Sequence, residues 1–113
     1  MQEYLKFYIN GQWVEPVQAE TLEVINPTTE EAFARISVGS AADVDLAVKA
    51  ARKAFVSYSQ STVAERIALL TRIREVYQRR IQEIANAIST EMGAPHHLEH
   101  GSQSQAGLRH LDA

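Results

Sequence analysis

The 113-residue sequence has no cysteine. Disulfides, thiolate zinc sites and a cysteine nucleophile are therefore excluded within it. It also lacks an excess of basic residues. Lys and Arg number 11 against 14 Asp and Glu, for a net charge of −3. That argues against a nucleic-acid or anionic-membrane surface, which needs a concentrated basic patch. No apolar run approaches a membrane span. The opening "MQEYLKFYINGQWVEP" is too polar for a secretory h-region. Internal repeats, low-complexity stretches and linkers are absent too. What remains is a chain long enough for one small domain, soluble and cytoplasmic by default. Its 45% apolar residues predict a packed core rather than disorder.

The first third reads as β. "FYINGQWVE" sets aromatic and β-branched residues on both sides of Asn10-Gly11. That pair suits a type I′ turn, whose central residues both need positive φ, so a hairpin is expected. "ETLEVINPTTEEAFARISVGS" predicts a second hairpin. Leu22 and Val24 alternate with polar neighbours, and Ala32, Ala34, Ile36 and Val38 share one face at period two. Asn26-Pro27 starts the turn between them, with the Asn26 side chain free to bond the backbone beyond it.

The rest reads as helix. Ser40 and Asp43 form a capping-box-like start, and Val44, Ala47, Val48, Ala51 and Phe55 follow as one buried stripe. Thr62 and Glu65 form a stronger capping box. Ile67, Leu70, Ile73, Tyr77, Ile81, Ile84 and Ile88 then recur at helical spacing. This helix either runs to Met92 or breaks near Arg79-Arg80. Gly93 suits the position past a helix end, and Pro95 the first turn of the next helix. Arg66, Arg72, Arg74, Arg79 and Arg80, mixed with Glu65, Glu75 and Glu83, read as a solvated, salt-bridged face. The expected divisions are a β-arm over 1–39, then helices over 40–58, 62–92 and 95–113. In the last of these, Gly101 and Gly107 each cost a helix about 1 kcal/mol relative to alanine. With few large apolar residues and no capping signal at "RHLDA", it reads as a helix cut in the middle that needs outside packing.

"HHLEH" at 96–100 fits H-x-x-E-H, with His96 and His100 one helical turn apart and Glu99 between them. Two imidazoles on one helix face suit a hydrolytic zinc. A third ligand is missing, however. His110 lies ten residues from His100, about 15 Å along a helix, whereas two nitrogens on one zinc are at most about 4 Å apart. Pro95 also places His96 in the first helical turn, where the macrodipole disfavours a cation. Adventitious metal is the better reading.

The order of motifs is more specific than any one of them. "YINGQWV", "VINPTTEE", "DVDLAVKAARKAF", "ERIALLTRIREVYQRR" and "TEMGAP" follow one another from Tyr8 onward. This series resembles the N-terminal portion of the NAD(P)-dependent aldehyde dehydrogenase superfamily. The resemblance implies an α/β fold, of which this chain is the N-terminal part of the cofactor-binding domain: two β-hairpins, then mostly helix. It implies an enzyme that oxidises aldehydes to carboxylic acids with NAD or NADP, assembled as a homodimer or homotetramer. In that family a cysteine thiolate attacks the aldehyde, a glutamate activates water and an asparagine holds the oxyanion. None of these can be carried over onto this sequence. No G-x-G-x-x-G is present either, so no catalytic or cofactor-binding residue is assigned here.

Two further sites are implied by the resemblance alone. Some members bind a monovalent cation through backbone carbonyls, at positions matching Ile25 and Glu91. The helix after "GAP" helps wall the substrate tunnel, which makes Glu99 and Gln103 tunnel-side candidates. The leading expectation is thus an N-terminal fragment of an aldehyde dehydrogenase, inactive alone and without tight affinity for NAD. The rivals are a self-associating interaction module, held by exposed helix faces and an unpaired β-arm, and the zinc hydrolase.

Overall fold

The computed structural model describes residues 1–93, 95 and 104–113. The chain divides into two compact units. Met1–Ile25 with Glu31–Gln60 form the first, and Asn26–Glu30 with Ser61–Ala113 the second.

The first unit begins with β1 (Gln2–Tyr4), β2 (Phe7–Ile9) and β3 (Gln12–Val14). Strands β2 and β3 pair antiparallel, with Tyr8 opposite Trp13. Asn10 and Gly11 sit at φ 56° and 75°, as a type I′ turn requires. The Tyr8 and Trp13 rings lie 5.1 Å apart, a cross-strand aromatic pair on a solvent-facing surface. β4 (Thr21–Asn26) and β5 (Glu31–Ser37) join β1 in a second sheet, in the order β1-β5-β4. β1 runs parallel to β5, with Gln2 opposite Ala34 and Tyr4 opposite Ile36. This strand is a feature the sequence reading did not anticipate. It is fastened by an Arg35–Glu3 ion pair at 3.6 Å, and by Ser37 Oγ donating to the Leu5 carbonyl at 2.6 Å.

Helix α1 (Ala41–Tyr58) follows and packs on β2. Its capping box is complete: the Asp43 N–H donates to Ser40 Oγ and the Ser40 N–H donates back to Asp43 Oδ2. Two of the four orphan amides of the helix start are satisfied this way.

The second unit opens with the turn after β4. The Thr28 N–H donates to Asn26 Oδ1 and the Glu30 N–H to the Asn26 carbonyl, at 2.9 and 2.8 Å. α2 (Val63–Arg79) starts at Thr62, whose capping box with Glu65 is also reciprocal. Of the two courses open to the long helix, the chain takes the break. Arg80 leaves helical geometry at φ −106°, ψ 11°, and shares its N–H between the Val76 and Tyr77 carbonyls. α3 (Ile81–Met92) then resumes and ends at Gly93, in the left-handed region at φ 71°. A Cβ on Gly93 would also come within 3.0 Å of Pro27 Cγ, so glycine is needed there for two reasons. α4 (Ser104–Asp112) packs on α2 and α3.

The expected packed core is largely missing. Among the described residues, only Ala34 and Ala85 are fully buried apolar side chains. The stripe on α1 forms as a helix face but is not buried: Val44 is 58% exposed and Phe55 60%. The same holds for Ile67, Leu70 and Ile73 on α2. Periodicity specified which residues share a face. It did not specify that the surface covering that face lies within these 113 residues.

Candidate functional site

The residues singled out in the sequence fall in three places. Ile25 is near the end of β4 in the first unit and about half exposed; Glu91 is in the last turn of α3 in the second unit and exposed. The adjoining turn and helix end close their own hydrogen bonds on other carbonyls, those of Asn26 and Ser89. His96, Glu99, His100 and Gln103 lie outside the described residues. Among the described residues, no group of three or more His, Asp or Glu is disposed to hold a metal. None of their helices is long and apolar enough to cross a membrane.

Two local constellations emerge instead. The first centres on Asp43, which is 5% exposed. One carboxylate oxygen accepts from the Ser40 N–H and hydroxyl, both at 3.0 Å. The other accepts from the Val17 N–H at 2.9 Å. The Ser40 and then the Val17 amide hold this carboxyl below its usual range, against the opposing effect of burial. The capping role was legible in the sequence; the reach to Val17, 26 residues away, left no local signal. An open groove of about 600 Å³ runs beside it, between the β2–β3 hairpin and α1.

The second constellation docks α4. The Tyr77 hydroxyl donates to the Ser104 carbonyl at 2.9 Å, and Ser104 is 1% exposed. Gly107 faces the same ring. A Cβ there would overlap the hydroxyl and lie 2.7 Å from Cζ. A glycine read from sequence only as a helix cost is thus the notch that admits Tyr77. Arg74 and Asp112 form an ion pair across the same two helices. Of the expected salt-bridged face, Arg80–Glu83 forms; Arg74 pairs instead with Asp112, outside that face, and Arg66 donates to the Ser61 carbonyl at 2.7 Å. A second open groove, about 590 Å³, lies on α2 and α3, with Ile73, Val76, Ile84 and Ala87 in its lining.

The Ser40 hydroxyl and the Asp43 carboxylate, 3.0 Å apart, are both committed to the start of α1, and the Tyr77 hydroxyl is committed to the Ser104 carbonyl. Both constellations are fastening devices on a β-arm and a set of amphipathic helices, an α/β segment whose apolar faces look outward. The sequence model of the aldehyde dehydrogenase family matches residues 13–112, and the chain belongs to that family. It is similar to a crystal structure of aldehyde dehydrogenase from Bartonella henselae, with a TM-score of 0.97 and 42% identity, over 99% of this chain and 24% of that one. It is similar also to a mutant of aldehyde dehydrogenase C from Pseudomonas syringae, solved with NAD+ and octanal. There the TM-score is 0.92 and the identity 42%, over 95% of this chain and 22% of that one. A Staphylococcus aureus relative assigned to the aldehyde dehydrogenases is 46% identical over 113 residues. The chain spans about 24% of the length of the curated relatives it matches.

The described residues do not form a cradle that fits a dinucleotide. Among the described residues, the one strand-to-helix turn with a glycine is β5–Gly39–α1, where a pyrophosphate would seek the helix N-terminus. That terminus is already taken by the Asp43 carboxylate, which would repel a phosphate. Gly11 serves a hairpin, Gly93 a helix end and Gly107 the Tyr77 notch.

Proposed function

We propose that this chain supplies the N-terminal β-arm and the opening helices of an NAD(P)-dependent aldehyde dehydrogenase, which oxidises aldehydes to carboxylic acids. The observation that carries the reading is the agreement with the Bartonella enzyme over 99% of this chain but 24% of that one. The NAD+ complex of the Pseudomonas relative supports the cofactor class. The exposed apolar faces of α1 and α2 fit the same reading, as surfaces awaiting the remainder of such an enzyme. The nucleophile and the dinucleotide site would then come from sequence other than these 113 residues, which hold no cysteine and, among the described residues, no fitting phosphate cradle. A cytoplasmic location and assembly as a homodimer or homotetramer belong to the same proposal. So do cation contacts by the Ile25 and Glu91 carbonyls, and tunnel-side places for Glu99 and Gln103.

The test compares two samples. The 113-residue chain should not generate reduced nicotinamide from any aldehyde with NAD or NADP. The native polypeptide that carries this sequence should do so. Turnover by the short chain alone would overturn the proposal. The zinc-hydrolase and self-associating readings gain no support from the comparisons.

A further inference from the structure

We propose that Asn10 is a spontaneous deamidation site, and that its isoaspartyl product opens the β2–β3 hairpin. The reaction needs only water and the chain itself. The Gly11 backbone nitrogen loses its proton to solvent base and attacks Cγ of the Asn10 carboxamide. A new N–Cγ bond closes a five-membered imide, the Cγ–Nδ2 bond breaks, and the nitrogen takes up a proton and leaves as ammonia. Water then adds to one of the two imide carbonyls. Opening on one side gives an aspartyl residue. Opening on the other gives an isoaspartyl residue, with the main chain rerouted through Cβ. Nothing is oxidised or reduced.

The chain has three asparagines, Asn10, Asn26 and Asn86, and they differ in the nitrogen that follows. Asn26 precedes Pro27, which has no N–H to lose, and its Oδ1 already accepts from the Thr28 N–H at 2.9 Å. Asn86 lies inside α3, where the helix commits the Ala87 N–H to the carbonyl one turn back. Asn10 and Gly11 are exposed at the hairpin tip. Among the described residues, neither the Gly11 N–H nor the Asn10 carboxamide has a hydrogen-bond partner. A Cβ placed on Gly11 would meet nothing within 4 Å, so solvent reaches the attacking nitrogen. The tip of a small sheet also opens locally at low cost, which frees the Asn10 backbone to turn toward ring closure.

The product matters because this turn tolerates no extra atom. A type I′ turn needs its two central residues at positive φ, and Asn10 and Gly11 supply 56° and 75°. An isoaspartyl linkage inserts one more carbon between Ile9 and Gln12, which face each other across the turn. β2 and β3 form a sheet of two strands, so no third strand holds their register. The Tyr8–Trp13 ring pair, at 5.1 Å, is the contact that separates. None of this rests on the dehydrogenase reading.

The test ages the 113-residue chain at mildly acidic and mildly alkaline pH and maps its peptides by mass spectrometry. The peptide holding Asn10 should gain the mass difference between an amide and an acid, faster at the alkaline pH. Its rate should exceed that at Asn86 by about tenfold or more, and Asn26 should show no gain. An isoaspartyl methyltransferase should label the aged chain and not the fresh one. In NMR spectra the purified isoaspartyl chain should lose the Tyr8–Trp13 cross-peaks. Fresh Asn10→Asp, checked for unchanged circular dichroism, should keep them, because aspartate also tolerates positive φ. No gain at Asn10, equal gains at Asn10 and Asn86, or cross-peaks retained in the isoaspartyl chain would each overturn the proposal. Loss of the cross-peaks in fresh Asn10→Asp would overturn it too, by tracing the opening to charge rather than to the rerouted backbone.

Discussion

Asp43 joins two stretches of backbone, at Val17 and at the start of α1, through one carboxylate, and its ionisation is linked to folding. Its folded value lies below the usual 3.8 because the Ser40 and Val17 amides bond the charged form. A depressed carboxyl contributes stability that is fully present above its unfolded value, and loses it as pH falls through the folded value. Protection of the Val17 amide, the slowing of its exchange relative to the unstructured rate at the same pH, should therefore be high at neutral pH and fall below about pH 4. In Asp43→Ala that amide should have low protection at every pH; unchanged protection would remove Asp43 from this role. Thr62 offers a simpler case. Its hydroxyl accepts from the Glu65 N–H at 3.1 Å, so Thr62→Ala should cost about 1 kcal/mol in urea unfolding. Both caps were legible because the chemistry is confined to four residues. The Val17 contact was not, since no local pattern marks a residue 26 positions away.

Elements were legible to the degree that their signals are local. The Asn10-Gly11 hairpin and the Asn26 turn follow from the φ demands and side-chain acceptors of particular residues. Gly11→Ala, with φ at 75°, should cost roughly 1–2 kcal/mol, seen as lost hairpin cross-peaks in NMR spectra. Strand β1 was missed because a three-residue parallel pairing with residues 34–36 has no alternation of its own to read. The break at Arg80 carries no glycine or proline, and the sequence left that choice open. α4 shows the opposite error. Gly107 counted as a weakness in isolation, but its missing side chain is what lets the helix meet Tyr77. Gly107→Ala should gain about 1 kcal/mol in helix propensity and lose about 1–3 kcal/mol by overpacking. The expected net result is faster amide exchange throughout α4. Adding Tyr77→Ala removes the overlap, so the double variant should not be the sum of the singles. Additive effects would contradict the notch.

At the scale of the whole chain, the sequence pattern located the faces but not their partners. Apolar periodicity is the same whether a face is covered by residues of this stretch or by others. That is why Val44, Val48 and Phe55 were read as buried and are exposed. Ordered family motifs carried what periodicity could not, and the match over residues 13–112 bears them out. The 113-residue chain should accordingly bind a solvatochromic apolar dye strongly. The most direct test of the central claim is made on the native polypeptide that carries this sequence. Its mass and its aldehyde-dependent reduction of NAD or NADP would be measured together, beside the 113-residue chain. We predict a polypeptide about four times this length, since the chain covers 24% of its relatives, with turnover confined to that longer species. A native polypeptide of 113 residues, or turnover by the short chain, would contradict the account.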